Sequence, residues 1–329
     1  MGKKSWYWPL LIFVMCTISA QAAAETRFAF VQYEVEAENY RSPDAFQTDI
    51  EALVHTAVNG GAECVVFPEY INVFLALMPL SRRLEGIDSV AAGVELLRNV
   101  YGDNIGLKEF FILQLPEVRE LMDRIWGGLA KRYGIWIVAG TAFAAENGSG
   151  PSPPGSAYLD PPPVEPVGPP SLYNRLFVYS PDGEIVYTQD KVYLTPFEKD
   201  TVGLDAGRVA AAHLIHIKKT LCGFTICRDT FFDDWETGFS GADLWIDLKA
   251  NGDVYDTDAE AVFETALPER IRNTGISLGA TVCLNGSFME LFWEGPSSVI
   301  KPASIAAGFE TIVEAASPVQ EEILLYIVE

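Results

Sequence analysis

The order of apolar and polar positions predicts alternating strands and helices in the first half of the chain. Residues 26–36 alternate as a half-buried strand does, and residues 44–60 carry an apolar stripe at helical spacing. A second strand is predicted at 64–70, a second helix at 115–133 and a third strand at 135–143. Because strands and helices alternate in this way, we expect a layered α/β domain.

The second half of the chain predicts shorter elements. Residues 172–194 predict a hairpin with its turn at 181–183, because Pro-Asp-Gly favours a tight reversal between two strands. Further elements are predicted in chain order: a helix at 229–239, a strand at 243–250, a helix near 259–275 and a strand at 279–286. The stretch 294–329 is expected to form short strands and turns followed by a C-terminal tail.

Two long insertions interrupt this pattern. Residues 71–114 are helical in character, and residues 144–171 hold many of the prolines and glycines of the chain. A linker between two domains is the alternative for 144–171, but strands resume directly after it. We therefore expect a single domain over residues 25–329, in which the insertions help to shape a pocket.

Residues 1–24 have the features of a secretory signal peptide. Two lysines precede an apolar stretch that ends in small residues, and cleavage after Ala22 or Ala24 satisfies the small-residue rule. A retained membrane anchor is the alternative, but the apolar stretch is short and is broken by Pro9. We therefore expect a secreted or periplasmic protein that has no membrane association once the signal is removed.

The charge of the chain bears on its partners. The formal net charge is −22, and it becomes −24 when the signal segment is removed with its two lysines. An acidic surface repels phosphate backbones, so we expect no nucleic-acid partner. Solubility of an exported protein is a sufficient reason for the charge itself.

Four cysteines remain after the signal segment: Cys64, Cys222, Cys227 and Cys283. Their sparse spacing in a long chain is unlike that of a disulfide scaffold. Cys222 and Cys227 would lie about 16 Å apart on one extended strand, which is too far for a bridge. At least one free thiol is therefore expected.

Three distant segments each place a reactive side chain after a strand-like run. CVVFPEY contains Glu69, YTQDKVYLTPFE contains Lys191 and Glu198, and TLCGFTICRD contains Cys227. A thiol, an ammonium and carboxylates gathered from separate strand ends provide a nucleophile, an oxyanion donor and a general base for acyl chemistry. A thiol is a poor source of thiolate near neutral pH, so Cys227 needs a base or a positive neighbour.

Taken in order, these segments resemble the glutamate, lysine and cysteine blocks of the nitrilase, or carbon–nitrogen hydrolase, superfamily. The matching segments are FPEY, DKVYLTPFE and GFTICRD, with further matches in YNRLFVYSPDGEIV and LNGSFMELFWEGPSSVIKP. The resemblance covers nearly the whole chain after the signal segment. It implies a four-layer αββα sandwich, a cofactor-free enzyme and a homodimer or higher homo-oligomer.

The resemblance also implies roles for the site residues. Glu69 would take the thiol proton while Cys227 attacks a carbonyl or nitrile carbon, and water would later release the acid from a thioester. Lys191 and the backbone N–H of Arg228 would stabilise the oxyanion. Glu198 would orient Lys191 and keep it charged.

The residues after the nucleophile guide the expected substrate. Nitrile-cleaving members commonly have Trp and Glu there, whereas this chain has Arg228 and Asp229, as in many amidase-type relatives. We therefore expect a small non-peptide amide to be hydrolysed to an acid and ammonia or an amine. Tyr70 is expected to contribute to oxyanion or substrate binding. A nitrilase, an amine N-acyltransferase and a catalytically silent binding protein remain alternatives.

Histidines offer competing site interpretations. A Cys–His dyad would need His55, His213 or His216 beside Cys227, but His55 lies on the predicted helix and the other two on a strand, where structural roles are common. A zinc site built from two of these histidines and two cysteines lacks the usual ligand spacing. The acidic run 251–260 lacks the ligand register of a calcium loop, so a solvated turn is expected and no metal.

Overall fold

The computed structural model describes residues 25–145, 170–303 and 308–329. The strands are β1 (Thr26–Val35), β2 (Cys64–Val66), β3 (Trp136–Ala145), β4 (Leu172–Tyr179), β5 (Ile185–Asp190), β6 (Ile215–Ile217), β7 (Thr220–Ile226), β8 (Leu244–Lys249), β9 (Leu278–Phe288), β10 (Leu291–Trp293), β11 (Ser298–Pro302), β12 (Phe309–Glu314) and β13 (Glu322–Val328). The α-helices are α1 (Pro43–Asn59), α2 (Ser81–Leu84), α3 (Val90–Tyr101), α4 (Leu107–Met122), α5 (Gly128–Tyr133), α6 (Asp234–Phe239), α7 (Thr257–Glu264) and α8 (Leu267–Thr274). The predicted signal segment and most of the predicted insertion 144–171 lie outside the described residues.

Strand β1 joins two sheets. It pairs in parallel with β2 and antiparallel with β13, and its last residues, Tyr33 to Val35, pair in parallel with β9. The resulting strand order is β5-β4-β3-β2-β1-β9-β8-β7-β6, with β10 and β11 beside β9 and β12 beside β11. One sheet therefore extends from β1 through β2 to β5, and the other extends from β9 to β6.

The two sheets pack face to face because side chains alternate along each strand. Phe28 and Phe30 of β1 share one buried cluster with Phe224 of β7 and Ile246 of β8. Ala29, which lies between them, belongs instead to a cluster that contains helical residues. The inner faces thus form a dry interface between sheets, and the outer faces are available to helices.

Helix α1 covers the outer face of the first sheet. Its start is fixed by Ser42, whose hydroxyl oxygen accepts from the Ala45 amide at 3.1 Å, and proline occupies the first helical position. The apolar stripe that includes Phe46, Ile50 and Val54 is buried against the sheet. This helix and its stripe are as the sequence predicts.

Helices α6 and α8 cover the outer face of the second sheet. Trp235 and Ile271 from these helices pack in one cluster with Trp245 of β8. The layers are therefore helix, sheet, sheet and helix, and the predicted four-layer αββα sandwich in a mixed α/β domain is confirmed. Within the described residues, no helix has the length and apolar character needed to cross a membrane.

The predicted C-terminal tail is wrong. Residues 322–328 form β13, which pairs along β1 from Thr26↔Val328 to Gln32↔Glu322. Leu324 and Val328 are 4% and 3% exposed, because their side chains join the core between the sheets. This segment is therefore an integral strand of the first sheet and contributes side chains to the core.

Several predicted boundaries also differ. The helix predicted at 115–133 begins earlier, at Leu107, and passes through a π-helical turn before α5, so the insertion 71–114 includes the start of α4. The helix predicted near 259–275 is two helices, since Pro268 begins a new one at its first turn. The strand predicted at 64–70 ends at Val66, and 229–239 holds a 3-10 turn followed by the short α6.

Candidate active site

Glu69 lies where the chain leaves β2. It is fully buried, and the next residue, Tyr70, has a left-handed φ of 64°. The Tyr70 amide donates to Thr141 Oγ1 at 2.8 Å, which holds this turn against β3. Gly140 has a φ of 69°, and a Cβ there would overlap the Pro68 carbonyl oxygen. Only glycine allows the two segments to approach so closely.

Lys191 directly follows β5. Its amide donates to the Asn174 carbonyl at 2.8 Å, which fixes the end of this strand against β4. The buried ammonium donates to Glu69 Oε1 at 2.8 Å and lies 2.9 Å from Glu198 Oε2. The structure therefore brings three of the predicted site residues into one buried cluster.

Glu198 accepts hydrogen bonds from several directions. It lies in the π-helical turn Phe197–Val202 and accepts from the Tyr70 hydroxyl at 2.6 Å and the Thr195 amide at 2.8 Å. Asn174 Nδ2 donates to Glu198 Oε1 at 3.0 Å and to Glu69 Oε1 at 2.8 Å. Sequence analysis missed Asn174, although a polar residue at an inward position of the alternating strand β4 is a usable signal.

Burial and charge set the ionisation of this cluster. Burial raises the pKa of Glu69 to about 7, although the Lys191 ammonium opposes it, and Glu198 adds to the rise. Burial alone would lower the pKa of Lys191, but Glu69, Cys227 and Glu198 hold it above its ordinary value. Burial alone would raise the pKa of Glu198. The Lys191 ammonium and the hydrogen bonds to the carboxylate outweigh burial, so this pKa lies below its ordinary value. Lys191 is thus charged at neutral pH, and Glu69 titrates there.

Cys227 follows directly after β7. Its φ of 52° is left-handed, a backbone conformation that costs a residue other than glycine about 1–3 kcal/mol. It is half-buried, whereas the other three described cysteines are buried and all four are free. Burial, followed by the charge of Glu69, raises the pKa of the Cys227 thiol to about 12 despite Lys191 and Lys249. The resting thiol is therefore protonated and needs a base.

One oxygen of Glu69 is available for that proton. Lys191 and Asn174 both donate to Oε1, whereas buried Oε2 has no hydrogen-bond partner among the described residues. An interaction with the Cys227 thiol contributes to lowering the pKa of Glu69. The thiol itself donates to the Ala250 carbonyl oxygen at 3.7 Å, and Oε2 is the oxygen of Glu69 that remains open to accept a proton.

Asp229 connects the segments that carry the lysine and the cysteine. Its buried carboxylate accepts from the amides of Val192 and Tyr193, which follow the lysine, at 3.1 and 2.8 Å. It also accepts from the Ile226 amide, just before the cysteine, at 3.4 Å. Burial raises the pKa of Asp229 to about 8, although these N–H groups oppose the rise. Sequence analysis treated Asp229 only as a substrate signature and did not foresee this link.

A second buried ion pair lies near the cysteine. Lys249 Nζ is 2.8 Å from Asp247 Oδ2 and lies over the rings of Phe231 and Phe263, at 5.1 and 4.9 Å from their centroids. The Thr230 hydroxyl donates to Asp247 Oδ2 at 3.0 Å. Sequence analysis also missed this pair, whose signal is an Asp and a Lys two residues apart in the fully buried strand β8.

Arg228 and Tyr70 take different positions around the site. The Arg228 guanidinium donates to the Leu194 carbonyl at 3.3 Å, and its amide lies in the first turn of the 3-10 helix Cys227–Phe231. Amides in a first helical turn lack an intrahelical acceptor. Tyr70, by contrast, uses its amide on Thr141 and its hydroxyl on Glu198.

The histidines lie away from the cysteine. His55 is exposed on α1 beside Asn59, and exposed His213 packs edge-on against Tyr187. His216 is exposed on β6. Across residues 25–145, 170–303 and 308–329, no group of three or more His, Cys, Asp or Glu side chains is arranged to hold a metal ion.

Several solved structures of one amidase have a similar fold. A double mutant of the amidase from Nesterenkonia sp. AN1 in complex with acrylamide has a TM-score of 0.61 and 17% identity, with 94% of this chain and 92% of that chain covered. A mutant of the same amidase showing Michael addition of acrylamide at the active-site cysteine has a TM-score of 0.59 and 18% identity, with 92% of each chain covered. A search of curated protein sequences found no significant match.

The fold and the site define a class of protein: an αββα sandwich in which two glutamates and a lysine lie beside a free cysteine. A family model described as carbon-nitrogen hydrolase matches residues 27–235, which is more than half of the chain. The chain therefore belongs to the carbon–nitrogen hydrolases of the nitrilase superfamily and is a hydrolase of carbon–nitrogen bonds other than peptide bonds. The resemblance of the three sequence blocks is confirmed.

Proposed function

We propose that this protein is an exported amidase that cleaves a small amide through a thioester on Cys227. The observation that carries the proposal is the buried cluster in which Lys191 Nζ contacts Glu69 Oε1 at 2.8 Å and Glu198 Oε2 at 2.9 Å. Cys227 is close enough that the charges of Glu69 and Lys191 shift its pKa. Nucleophile, base and ammonium are thus present together.

In the proposed acylation, Glu69 Oε2 accepts the thiol proton as Cys227 Sγ forms a bond to the carbonyl carbon. The carbonyl oxygen becomes an oxyanion that accepts from Lys191 Nζ and the Arg228 amide. The intermediate then collapses, the carbon–nitrogen bond breaks, and Glu69 donates its proton to the departing nitrogen. Ammonia or an amine leaves, and the thioester remains.

In the proposed deacylation, Glu69 removes a proton from a water molecule while the water oxygen attacks the thioester carbon. The carbon–sulfur bond breaks, the thiolate takes the proton from Glu69, and the carboxylic acid leaves. A pKa of about 7 suits Glu69 for both directions of transfer, because base and acid forms coexist near neutral pH. Glu198 offsets the positive charge of Lys191 and orients it.

An amide is favoured over a nitrile by Arg228 and Asp229 after the nucleophile, and a non-peptide bond follows from membership of the carbon–nitrogen hydrolases. The Nesterenkonia amidase was also solved in complex with butyramide, at a TM-score of 0.57 and 17% identity with 91% of this chain and 89% of that chain covered. A primary amide is therefore the first substrate to test.

The test combines product analysis with trapping. Purified protein is incubated with panels of amides and nitriles, with and without hydroxylamine, and the covalent adduct is followed by intact mass. We expect acid and ammonia from amides, a hydroxamate in the presence of hydroxylamine, and an acyl adduct that Cys227→Ala abolishes. Cys64→Ala is the matched control, since this buried cysteine lies in β2.

Other outcomes identify the alternatives. Acid from nitriles alone indicates a nitrilase, and transfer to added amines without acid indicates an N-acyltransferase. Ligand binding with no adduct indicates a silent binding protein. An adduct that survives in Cys227→Ala and is lost in Cys64→Ala contradicts the proposed nucleophile.

Export and assembly belong to the same proposal. The lysines and apolar stretch of residues 1–24 support secretion or delivery to the periplasm with cleavage after Ala22 or Ala24. N-terminal sequencing of exported protein tests this, and a mature chain that keeps Lys3 contradicts it. The family resemblance supports a homodimer, which sedimentation analysis of the purified protein tests.

A further inference from the structure

An apolar cavity of about 100 Å³ lies against the candidate active site. Tyr70 and Glu198 belong to both the site and the cavity wall, so the two are contiguous. Much of the remaining wall comes from the predicted insertion 71–114, and the rest includes Phe143 of β3 and Trp293 of β10. The insertion therefore shapes a space that adjoins the reacting groups.

The wall of this cavity offers little to a polar ligand. Among the described residues that line it, Glu198 alone is charged, and its oxygens already accept from Lys191, Tyr70, Asn174 and Thr195. A polar substituent placed in the cavity would lose its hydration without gaining a free partner. An apolar group would gain by leaving water.

We propose that this cavity binds the apolar chain on the acyl side of a straight-chain amide, which names a substrate class for the hydrolase proposed above. A cavity of about 150 Å³ accommodates the six carbons of benzene, so one of about 100 Å³ holds about four carbon atoms. The acyl group stays on the enzyme through both half-reactions, whereas the amine leaves after the first. An apolar site beside Glu198 suits the group that stays.

Binding to the Cys227→Ala variant tests the proposal without turnover. Straight-chain primary amides from acetamide to octanamide are titrated by calorimetry. Each buried methylene contributes about 0.8 kcal/mol, so Kd should fall by up to about fourfold per added carbon and level off after about four carbons. A Kd that stays flat along the series overturns the proposal.

Filling the cavity provides the matched test. Gly93 of α3 lines it, and a Cβ there would lie 3.3 Å from Met289 Cε. The leucine side chain in Gly93→Leu should therefore occupy the cavity and abolish the rise in affinity with chain length. Ala91→Leu adds the same side chain at an exposed position of the same helix and should leave the gain intact. Leu97→Ala, which enlarges the cavity, should move the plateau to longer chains and serves if Gly93→Leu does not fold. Equal chain-length profiles in all variants contradict the proposal.

Two further measurements separate this inference from the proposed function. Acetamide hydrolysis by the wild-type protein reports the amidase reaction, because acetamide has no chain to fill the cavity. If the wild-type protein does not hydrolyse acetamide but Kd still falls with chain length, the amidase reaction is rejected and the proposed role of the cavity is retained. In a parallel series of N-alkylacetamides, Kd should not depend on alkyl length; a gain confined to that series places the chain on the amine side and overturns the acyl assignment.

Discussion

Replacing Glu198 with glutamine tests how strongly the buried ammonium depends on its second carboxylate. Glutamine keeps the shape of the side chain but removes one negative charge and adds two N–H donors. Within the described residues, each hydrogen bond to the Glu198 carboxylate comes from a donor: Lys191 Nζ, Tyr70 Oη, Asn174 Nδ2 and the Thr195 amide. At least one donor pair must therefore face each other in Glu198→Gln.

The expected loss of stability follows from burial. Lys191 and Glu198 are 0% and 1% exposed, so water does not screen the pair. Removing one partner of a buried ion pair costs about 3–5 kcal/mol, and we take about 3 kcal/mol because Lys191 keeps Glu69. At about 2 °C per kcal/mol for a domain of this size, Tm should fall by about 6 °C.

The same variant should change the pH dependence of activity. The charge of Glu198 raises the pKa of Glu69, so its removal lowers that pKa. The acid limb of kcat/KM should therefore move to lower pH, while kcat falls because Lys191 loses its orientation.

Scanning calorimetry and pH–rate profiles measure both effects. The control is Glu184→Gln, at an exposed position in the β4–β5 turn, which should stay within about 0.5 kcal/mol of the wild type. A Glu198→Gln protein with wild-type Tm and an unmoved acid limb refutes the reasoning.

Three further predictions concern the base, the ammonium and the turn beside Glu69. In the wild-type protein, kcat/KM should rise with pH through about 7, because Glu69 must be ionised to accept the thiol proton; a pH–rate profile with its acid limb near the ordinary pKa of a glutamate, about 4.3, contradicts this. Lys191→Ala should lower kcat/KM far more than it weakens substrate binding, and Lys191→Arg should rescue poorly because the pocket is fully buried; borohydride reduction with substrate should leave no adduct on Lys191. Gly140→Ala should lower both Tm and kcat, because the added Cβ overlaps the Pro68 carbonyl and displaces Glu69. The control in calorimetry and kinetics is Gly128→Ala, at a position of α5 where a Cβ meets no other atom. Equal losses in both variants contradict the proposed contact.

The sequence predicts those parts of the structure that have local patterns. The three blocks around Glu69, Lys191 and Cys227 are recognisable because each lies in a short run with its own flanking strand. Helix α1 is predicted because its apolar stripe recurs at helical spacing within one continuous segment. Elements and site residues that lie in a local sequence pattern can thus be predicted from the sequence alone.

The parts that were missed depend on distant partners. Asp229 acts on amides at Val192 and Tyr193, and Asn174 connects carboxylates that are 105 and 24 residues away. The inward polar position of Asn174 in β4 marks it as a candidate, but its partners are specified only by the packing of the sheets. The C-terminal tail, predicted to follow the short strands of 294–329, failed for the same reason, since β13 is defined by its pairing with β1.

The pairing of β1 with β13 also governs when the fold can be completed during synthesis. Thr26 lies opposite Val328, so β1 must wait for a strand about 300 residues later in the chain before both of its edges are filled. Until then, β1 presents an open edge on which other chains can add. Pairing over such a separation is intrinsically slow, because the entropy of closing the loop must be overcome first. The sandwich therefore cannot close before β13 reaches β1, and a chaperone that shields the edge of β1 should raise the yield of folded protein.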